Sequence, residues 1–316
     1  MKILVTPTSF RPDKETQALQ KLRDFATDIV SNPHGRPLKQ NELIELLPGC
    51  EGFIAGLDYI DADVIASCDK LRVISRYGAG VDRVDLAAAR AHNVAVCNTP
   101  GANAEAVADL TIGLLLSVAR KIPLLDKSVK SGNWFRSTGV EIYGKTIGLL
   151  GLGAIGKAVA KRAQGFSMRV MAHDPYIDND YAAKNGIISA TIDQIVLDSD
   201  VISLHLPLTA DTRHIISGDL MRKMKHGVII INTARGGLIA EDVLPELLTS
   251  GHLGGLGLDA FEVEPLVETP LSQFDNVVLT PHTAAHTFEA TENMADMAVQ
   301  NLIDVLSGKE CQYLIK

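Results

Sequence analysis

The chain has 316 residues, of which 46% are hydrophobic and 22% charged, enough to bury the core of one large or two ordinary globular domains. A formal net charge of −8 without a long basic run argues against nucleic acid as a partner, although an acidic chain can still hold a local arginine for an anionic ligand. The longest apolar segment, near Leu110 to Val118, is broken by Thr111, Gly113 and Ser117, too short to span a bilayer.

Met1 to Thr8, M-K-I-L-V-T-P-T, reads as a first strand, since its apolar run is too short for a targeting signal and no small-residue cleavage site follows. Further strands are predicted over Gly52 to Ala55, Val73 to Arg76 and Val94 to Cys97, with the first over Ile3 to Thr6. Helical stretches lie between them, among them Glu15 to Ile29 and Asp63 to Ala66. This alternation predicts a parallel sheet with helices on its faces.

At Asn98 the character changes. N-T-P-G is a turn signal and leads into a long apolar helix, Ala102 to Ala119, suited to crossing between domains. A polar loop, K-S-G-N-W-F-R-S-T-G, follows and holds the one tryptophan, Trp134. After Gly144 a second series begins, with strands over Thr146 to Leu150, Arg169 to His173, Val201 to His205, Val228 to Asn232, Gly255 to Asp259 and Val277 to Thr280. Helices are predicted near Ile155 to Gly165, Thr191 to Leu197, Asp219 to Met224 and Glu241 to Ser250. Six strands with helical crossovers make a doubly wound domain. A last helix, about Thr287 to Leu306, is free to return to the first domain.

Cys50, Cys68, Cys97 and Cys311 are scattered. They form no C-x-x-C pair and have no histidine at metal-ligand spacing, so they read as small core residues or free thiols in a reducing cytoplasm, and no metal is called for.

G-L-G-A-I-G, with Gly151, Gly153 and Gly156, sits between the strand T-I-G-L-L and the helix I-G-K-A-V-A-K-R-A, which is the setting of a dinucleotide loop. The first glycine permits the tight turn, the second lets backbone approach a pyrophosphate, and the third lets helix and strand pack closely. Free N–H groups at the helix start then face the phosphates. Asp174 ends the next strand, where an acid accepts hydrogen bonds from ribose hydroxyls and repels a 2′-phosphate, favouring NAD over NADP. The blander readings are a structural turn for the glycines and a solvated turn acid before Pro175 for Asp174.

Hydride transfer to a 2-oxo acid requires a cation to hold the carboxylate, an acid to protonate the oxygen, and a group that keeps that acid charged. Arg235, in N-T-A-R-G-G after an apolar strand, stands where ligands bind in such sheets and has the fork that grips a carboxylate. His282 follows N-V-V-L-T-P at another strand end, with His286 as its competitor. Glu264, in D-A-F-E-V-E-P, is placed to favour an imidazolium and fix its ring, with Glu262 as its rival.

These segments together resemble the D-isomer-specific 2-hydroxyacid dehydrogenases, in the phosphoglycerate-dehydrogenase-like branch. The resemblance runs through R-Y-G-A-G-V-D (76–82), N-T-P-G-A-N-A-E-A-V-A-D-L (98–110), G-K-T-I-G-L-L-G-L-G-A-I-G (144–156), L-H-L-P-L (204–208), N-T-A-R-G-G (232–237), L-D-A-F-E-V-E-P (258–265) and T-P-H-T-A-A-H (280–286). It implies an α/β fold of two doubly wound Rossmann-like domains with the active site in the cleft between them: residues 1–98 plus 287–316 as a flavodoxin-like substrate-binding domain, and 99–286 as the NAD-binding domain. It implies Arg235, Glu264 and His282 as the catalytic trio. Pyrophosphate contacts at Ala154 and Ile155 follow, as do further cofactor contacts at Leu206 and Pro207, and nicotinamide contacts from Thr233, Ala234, Asp259 and the segment reaching Ala285. The backbone at Ala79 and Gly80 would meet the substrate carboxylate.

The resemblance also implies a homodimer built around the segment after Asn98. Two departures stand out. The phosphoglycerate enzymes carry an arginine after the strand that here reads G-F-I-A, where this chain has Gly56, leaving Arg76 as the available cation. The regulatory domain that many serine-pathway enzymes append is also not expected. Glyoxylate, hydroxypyruvate and other short 2-oxo acids therefore compete with phosphoglycerate as the expected substrate. An NAD-sensing corepressor and an adenosylmethionine-dependent methyltransferase are the other classes considered. The first would want recruiting tails, and the second has no role for an Arg, Glu and His at three strand ends.

Overall fold

The structure is a computed structural model describing residues 1–10 and 15–315. The chain forms two compact units, one from Met1–Asn103 together with the segment from His286 onward, the other Ala104–Ala285. Unit one runs on past the expected break at residue 98 because Asn98 and Thr99 stay tied to it: Asn98 N–H donates to Tyr313 O (3.3 Å) and Thr99 N–H to Gly78 O (3.0 Å).

In chain order, unit one begins with β1 (Lys2–Val5), α1 (Gln17–Phe25), β2 (Asp28–Ser31), α2 (Gln40–Leu46), β3 (Gly52–Ala55), α3 (Ala62–Ala66), β4 (Val73–Arg76), α4 (Leu86–Ala91) and β5 (Ala95–Cys97). Unit two follows with α5 (Ala104–Ala119), α6 (Ile122–Lys130), β6 (Thr146–Leu150), α7 (Ala154–Gly165), β7 (Arg169–His173), α8 (Asn179–Lys184), β8 (Ile188–Ser189), α9 (Ile192–Asp198), β9 (Val201–Leu204), α10 (Gly218–Lys223), β10 (Val228–Asn232), α11 (Leu244–Thr249), β11 (Leu253–Leu258) and β12 (Val277–Leu279). Helix α12 (Phe288–Leu306) then completes unit one. Among the described residues no helix is long and apolar enough to cross a membrane.

Unit one carries a parallel five-stranded sheet ordered β2-β1-β3-β4-β5, the order of flavodoxin-like sheets. Its inner strands β1, β3 and β4 are short and almost wholly buried because both faces are covered. Leu4, Phe53 and Ile74 pack toward Leu43, Val64, Ile65 and Ala89 of α2, α3 and α4 and toward Leu47 just beyond α2. On the other face α12 lies close over β3: a Cβ on Gly52 would come within 2.9 Å of Leu302 Cδ1. Ser75 Oγ donates to Ala298 O (2.8 Å) on the same face.

Unit two carries a parallel seven-stranded sheet, β12-β11-β10-β9-β6-β7-β8. The chain builds outward from β6 to β8, returns to β9 beside β6, and builds outward again to β12. The reversal between β6 and β9 is the point at which such sheets bind ligands at their carboxyl ends. Helix α5 presses against β11, where a Cβ on Gly255 would lie 2.4 Å from Val118 Cγ1 and one on Gly257 3.0 Å from Leu114 Cβ. The L-G-G-L-G-L strand is thus a seat for a helix.

The sheet has seven strands where six were expected, the addition being β8. In unit one the helix expected to reach Ile29 ends at Phe25, and Asp28 and Ile29 enter β2 instead. Both unforeseen strands are edges: β2 is at best half-buried and the two residues of β8 are exposed, so neither carries the apolar run that marks a central strand. Helices α2 and α4 lie between strands where helical stretches were expected without bounds, and α6 and α8 were not anticipated. They are short, and several rest on a local cap such as Asp85 Oδ1 accepting from Ala88 N–H (2.9 Å) or Asp178 Oδ1 from Tyr181 N–H (2.9 Å).

Candidate active site

The glycine loop spans the end of β6 and the start of α7. Gly151 has φ +102°, and a Cβ there would sit 2.4 Å from His205 O, on the loop after β9. A Cβ on Gly156 would sit 2.2 Å from Gly151 O. Both glycines are demanded by the protein's own packing. Gly153 is different: a Cβ there would meet nothing within 4 Å, so the absent side chain leaves open space over the start of α7. No side chain caps that helix and no acid lies in its first turn, leaving the N–H groups around Ala154 and Ile155 for an anion. Asp174 directly follows β7 and is half-buried, its Oδ2 accepting from Leu152 N–H (2.8 Å) and its Oδ1 from Tyr176 N–H (2.9 Å). The carboxylate stiffens the glycine loop while setting negative charge beside it. These residues fit a dinucleotide, with its pyrophosphate at Gly153–Ile155 and a ribose near Asp174. Leu206 is 8% exposed and packs into the core, so only its backbone is open to a ligand, whereas Pro207 is exposed and its carbonyl accepts from Thr212 Oγ1 (2.7 Å).

The other expected residues cluster after β10, β11 and β12, three neighbouring strands. Asn232 closes β10 and shapes the turn beyond it: its Oδ1 accepts from Ala234 N–H (3.0 Å) and its Nδ2 donates to Arg235 O (2.7 Å). Arg235 is half-buried, with Nη1 donating to Ala234 O (2.8 Å). Gly236 then touches the next loop, since a Cβ there would fall 1.8 Å from the Phe261 carbonyl carbon. The turns after β10 and β11 are therefore in direct contact.

Asp259, 1% exposed at the end of β11, joins that strand to the loop after β12. Its carboxylate accepts from Thr280 Oγ1 (2.6 Å), Thr283 N–H (2.8 Å) and Ala284 N–H (2.9 Å). This is a positioning role in addition to the expected ligand contact. Within the anchored loop His282 adopts φ +50°, a conformation uncommon for a non-glycine residue. It holds the ring against Glu264, whose two oxygens lie 2.9 and 3.0 Å from His282 Nδ1. Glu264 Oε1 also accepts from Phe261 N–H (3.1 Å). A carboxylate only accepts, so Nδ1 carries a hydrogen and Nε2 is the nitrogen left to exchange a proton with a ligand.

The rival groups go elsewhere. Glu262 Oε1 pairs with His214 Nε2 (2.7 Å), and His286 is exposed at the start of the segment assigned to unit one.

In unit one, the Gly78–Gly80 turn is held by its carbonyls and by the Gly78 N–H. Asn98 Nδ2 donates to Ala79 O (2.7 Å), Arg76 Nε to Gly80 O (3.2 Å), and Gly78 N–H to Thr99 Oγ1 (2.9 Å). Arg76 departs from the expectation of an available cation. It is 2% exposed, and its Nη1 donates to Ala55 O (2.9 Å); its guanidinium braces the turn from inside. At Gly56 a Cβ would press on Pro7 Cα at 3.1 Å, and the Gly56 N–H donates to Thr6 Oγ1 (2.9 Å) and to the fully buried carboxylate of Asp58 (3.1 Å).

Two contributors escaped the sequence reading. Thr111, in α5, has its hydroxyl 2.9 Å from that of Thr233 and donates to Val107 O (2.8 Å). Its one hydrogen is thus used, so Thr233 donates to Thr111 and keeps its lone pairs. Only the polar break in an apolar helix hinted at this. Glu241, whose Oε1 accepts from Glu262 N–H (2.9 Å), has its carboxyl pushed above the usual range by burial, with Glu262 and Glu264 adding repulsion. Nothing local marked it.

Residues 112–284 match the family described as D-isomer specific 2-hydroxyacid dehydrogenase, NAD binding domain. The chain is 40% identical over 282 residues to a D-3-phosphoglycerate dehydrogenase of Methanocaldococcus jannaschii, covering 88% of this chain but 54% of that protein, so it spans about half that relative's length. It is 40% identical over 311 residues to a hydroxypyruvate reductase of Thermotoga maritima, covering 93% of this chain and 95% of the relative. Among solved structures, a glyoxylate reductase from Paecilomyes thermophila superposes with a TM-score of 0.87 at 28% identity, covering 99% of this chain and 98% of the other.

Proposed function

This chain belongs to the D-isomer-specific 2-hydroxyacid dehydrogenase family, and we propose that it uses NAD to interconvert a short, unphosphorylated 2-oxo acid of the glyoxylate or hydroxypyruvate type and its 2-hydroxy acid. The observation that carries the reading is the two-oxygen grip of Glu264 on His282 Nδ1, at 2.9 and 3.0 Å, one loop away from Arg235. Bound NADH supplies the hydride that reduces C2.

Arg235 holds the substrate carboxylate and draws charge from the carbonyl oxygen. His282, its ring held through Nδ1 by Glu264, gives its Nε2 proton to that oxygen, and takes the hydroxyl proton in the reverse direction. In unit one, the N–H groups of Ala79 and Gly80, on a turn whose carbonyls are already occupied, are the groups that suit a carboxylate. Thr233, Ala234, Asp259 and Ala285 are the residues that would hold the nicotinamide, and Asp259 also holds the His282 loop.

Two observations favour the unphosphorylated acid. A side chain at Gly56 would press on Pro7 backbone while a buried carboxylate lies beneath, and Arg76 is spent on Ala55 and Gly80. Neither offers a cation to a phosphate. Unit one is accordingly the substrate-binding domain of this proposal and unit two the NAD-binding domain.

The protein is further proposed to be a homodimer. Ile122, Val129, Trp134, Phe135, Val140 and Tyr143 are all exposed, Trp134 by 83%, and together they concentrate apolar surface in the segment after α5. A reducing cytoplasm suits its four free thiols. An NADH-oxidation panel of glyoxylate, hydroxypyruvate and phosphohydroxypyruvate tests the reading. The expected kcat/KM for one of the first two exceeds that for the third by about tenfold or more, and His282→Asn lowers kcat by orders of magnitude while NADH still binds. Preference for the phosphorylated acid defeats the substrate assignment, and normal turnover of the variant defeats the role of His282.

A further inference from the structure

Cys97 ends β5 and Cys311 lies in the segment after α12, yet their sulfurs are 3.4 Å apart. The tail that carries Cys311 is laid against β5. Ile315 N–H donates to Val96 O (2.8 Å), Asn98 N–H to Tyr313 O (3.3 Å), and Leu314 bridges Cys97 as an antiparallel partner. Asn301 of α12 secures the junction from beneath: its Nδ2 donates to Asn98 O (2.9 Å), and its Oδ1 lies 3.6 Å from Cys311 Sγ. The sulfur contact is therefore held by backbone pairing on one side and a buried amide on the other. Such a pair is the arrangement from which a disulfide closes with small side-chain rotations, since the bonded distance is about 2.05 Å.

We propose that Cys97 and Cys311 form an oxidisable dithiol, a modification site for low-molecular-weight disulfides that ties the C-terminal tail covalently to β5.

The two thiols are unequal. Cys97 is fully buried, while Cys311 is partly exposed. Burial, with Cys311 beside it, pushes the Cys97 thiol well above its ordinary range. Cys311 is accordingly the sulfur that meets the reagent. Its thiolate attacks one sulfur of the reagent, breaking the reagent's S–S bond and releasing one thiolate. The Cys97 sulfur, after giving up its proton to solvent, attacks Cys311 Sγ and expels the second thiolate. The protein loses two hydrogens and two electrons, and the reagent is reduced to two thiols. The second step is the slow one because Cys97 must first ionise. The site lies one residue before Asn98 and Thr99, the residues that brace the Gly78–Gly80 turn. Cys50 and Cys68 are internal references: both are buried, and Cys68 Sγ is engaged with Cys50 O (3.2 Å).

The test treats the folded chain with oxidised glutathione, quenches with acid, alkylates after denaturation and maps peptides by mass spectrometry. The expected product is a Cys97–Cys311 linked peptide, lighter by two hydrogens than its reduced parts and reversed by dithiothreitol, with Cys50 and Cys68 recovered alkylated. In Cys311→Ser, which removes the attacking sulfur and leaves the fold intact, Cys97 is expected to stay free. A glutathione adduct that persists on Cys311 without a link overturns the proposal. So does full alkylation of both cysteines after treatment, or glutathione on Cys97 in the serine variant.

Discussion

Glu264→Gln removes the charge and one of the two acceptors that face His282 Nδ1. Glu264 Oε1 already serves both Phe261 N–H and His282 Nδ1, so a glutamine carbonyl in the same place keeps both bonds, while the amide NH2 replaces Oε2. The side chains of the pair are 22% and 15% exposed, so the charge acts largely out of water. Two unit charges about 4 Å apart attract by about 4 kcal/mol at an effective dielectric of about 20. The neutral bond that remains is worth about 1 kcal/mol. The difference, about 3 kcal/mol, corresponds to a loss of roughly 100-fold in rate. The loss falls most cleanly on oxidation of the 2-hydroxy acid, where the imidazolium forms during the reaction. The assay is NADH appearance with glycerate or glycolate at saturating NAD, with NADH affinity measured separately by nucleotide fluorescence. A variant that keeps kcat within about threefold of the parent, against the two orders of magnitude worked out above, while binding NADH normally, would refute the claim that Glu264 acts by charge.

Asp174→Ser, which removes the repulsion of a 2′-phosphate but keeps an acceptor for Leu152 N–H, is expected to raise the NADPH-to-NADH ratio of kcat/KM by about tenfold or more, read in parallel assays with the two cofactors. Thr111→Val leaves the Thr233 hydroxyl without its buried acceptor, at a cost of about 1–3 kcal/mol. It should lower the melting temperature or raise KM for NADH, and Thr111→Ser should restore both. Glu241 has its carboxyl raised in the folded state by burial and by the neighbouring carboxylates. The folded chain therefore binds the proton more tightly than the unfolded one, and this contribution is full below the ordinary value of 4.5 and is lost as pH rises through the folded value. Glu241→Gln should accordingly raise the melting temperature at neutral pH and change it little at pH below that value. A parallel shift at all pH values would show that ionisation is not the cause.

The central strands were legible residue by residue. β3, β4, β6 and β10 have the bounds expected of them because each is an unbroken run buried on both faces, and β7 has its expected bounds around a buried Val170–Ala172 centre. The edge strands β2 and β8 were not, because half their surface faces water and no apolar signal is required of them. The glycine loop was equally plain, since strand, turn and helix follow one another in direct succession, Gly151 and Gly156 answer steric demands of neighbouring backbone, and Gly153 leaves open space over the start of α7. The residue types needed for proton transfer and carboxylate binding could be found at strand ends, but residues alone left Glu264 level with Glu262 and His282 level with His286. What separated them is long-range: Asp259 anchors the loop after β12, φ +50° turns His282 toward Glu264, and Glu262 is taken by His214. Arg76 teaches the same lesson in reverse. An arginine at a strand end looks available in a sequence, yet the carbonyls of Ala55 and Gly80 draw it inward. Periodicity and turn chemistry act between neighbours along the chain and so are written in their order. Which charged group meets which depends on the register of strands far apart in sequence, and only the folded sheet sets that.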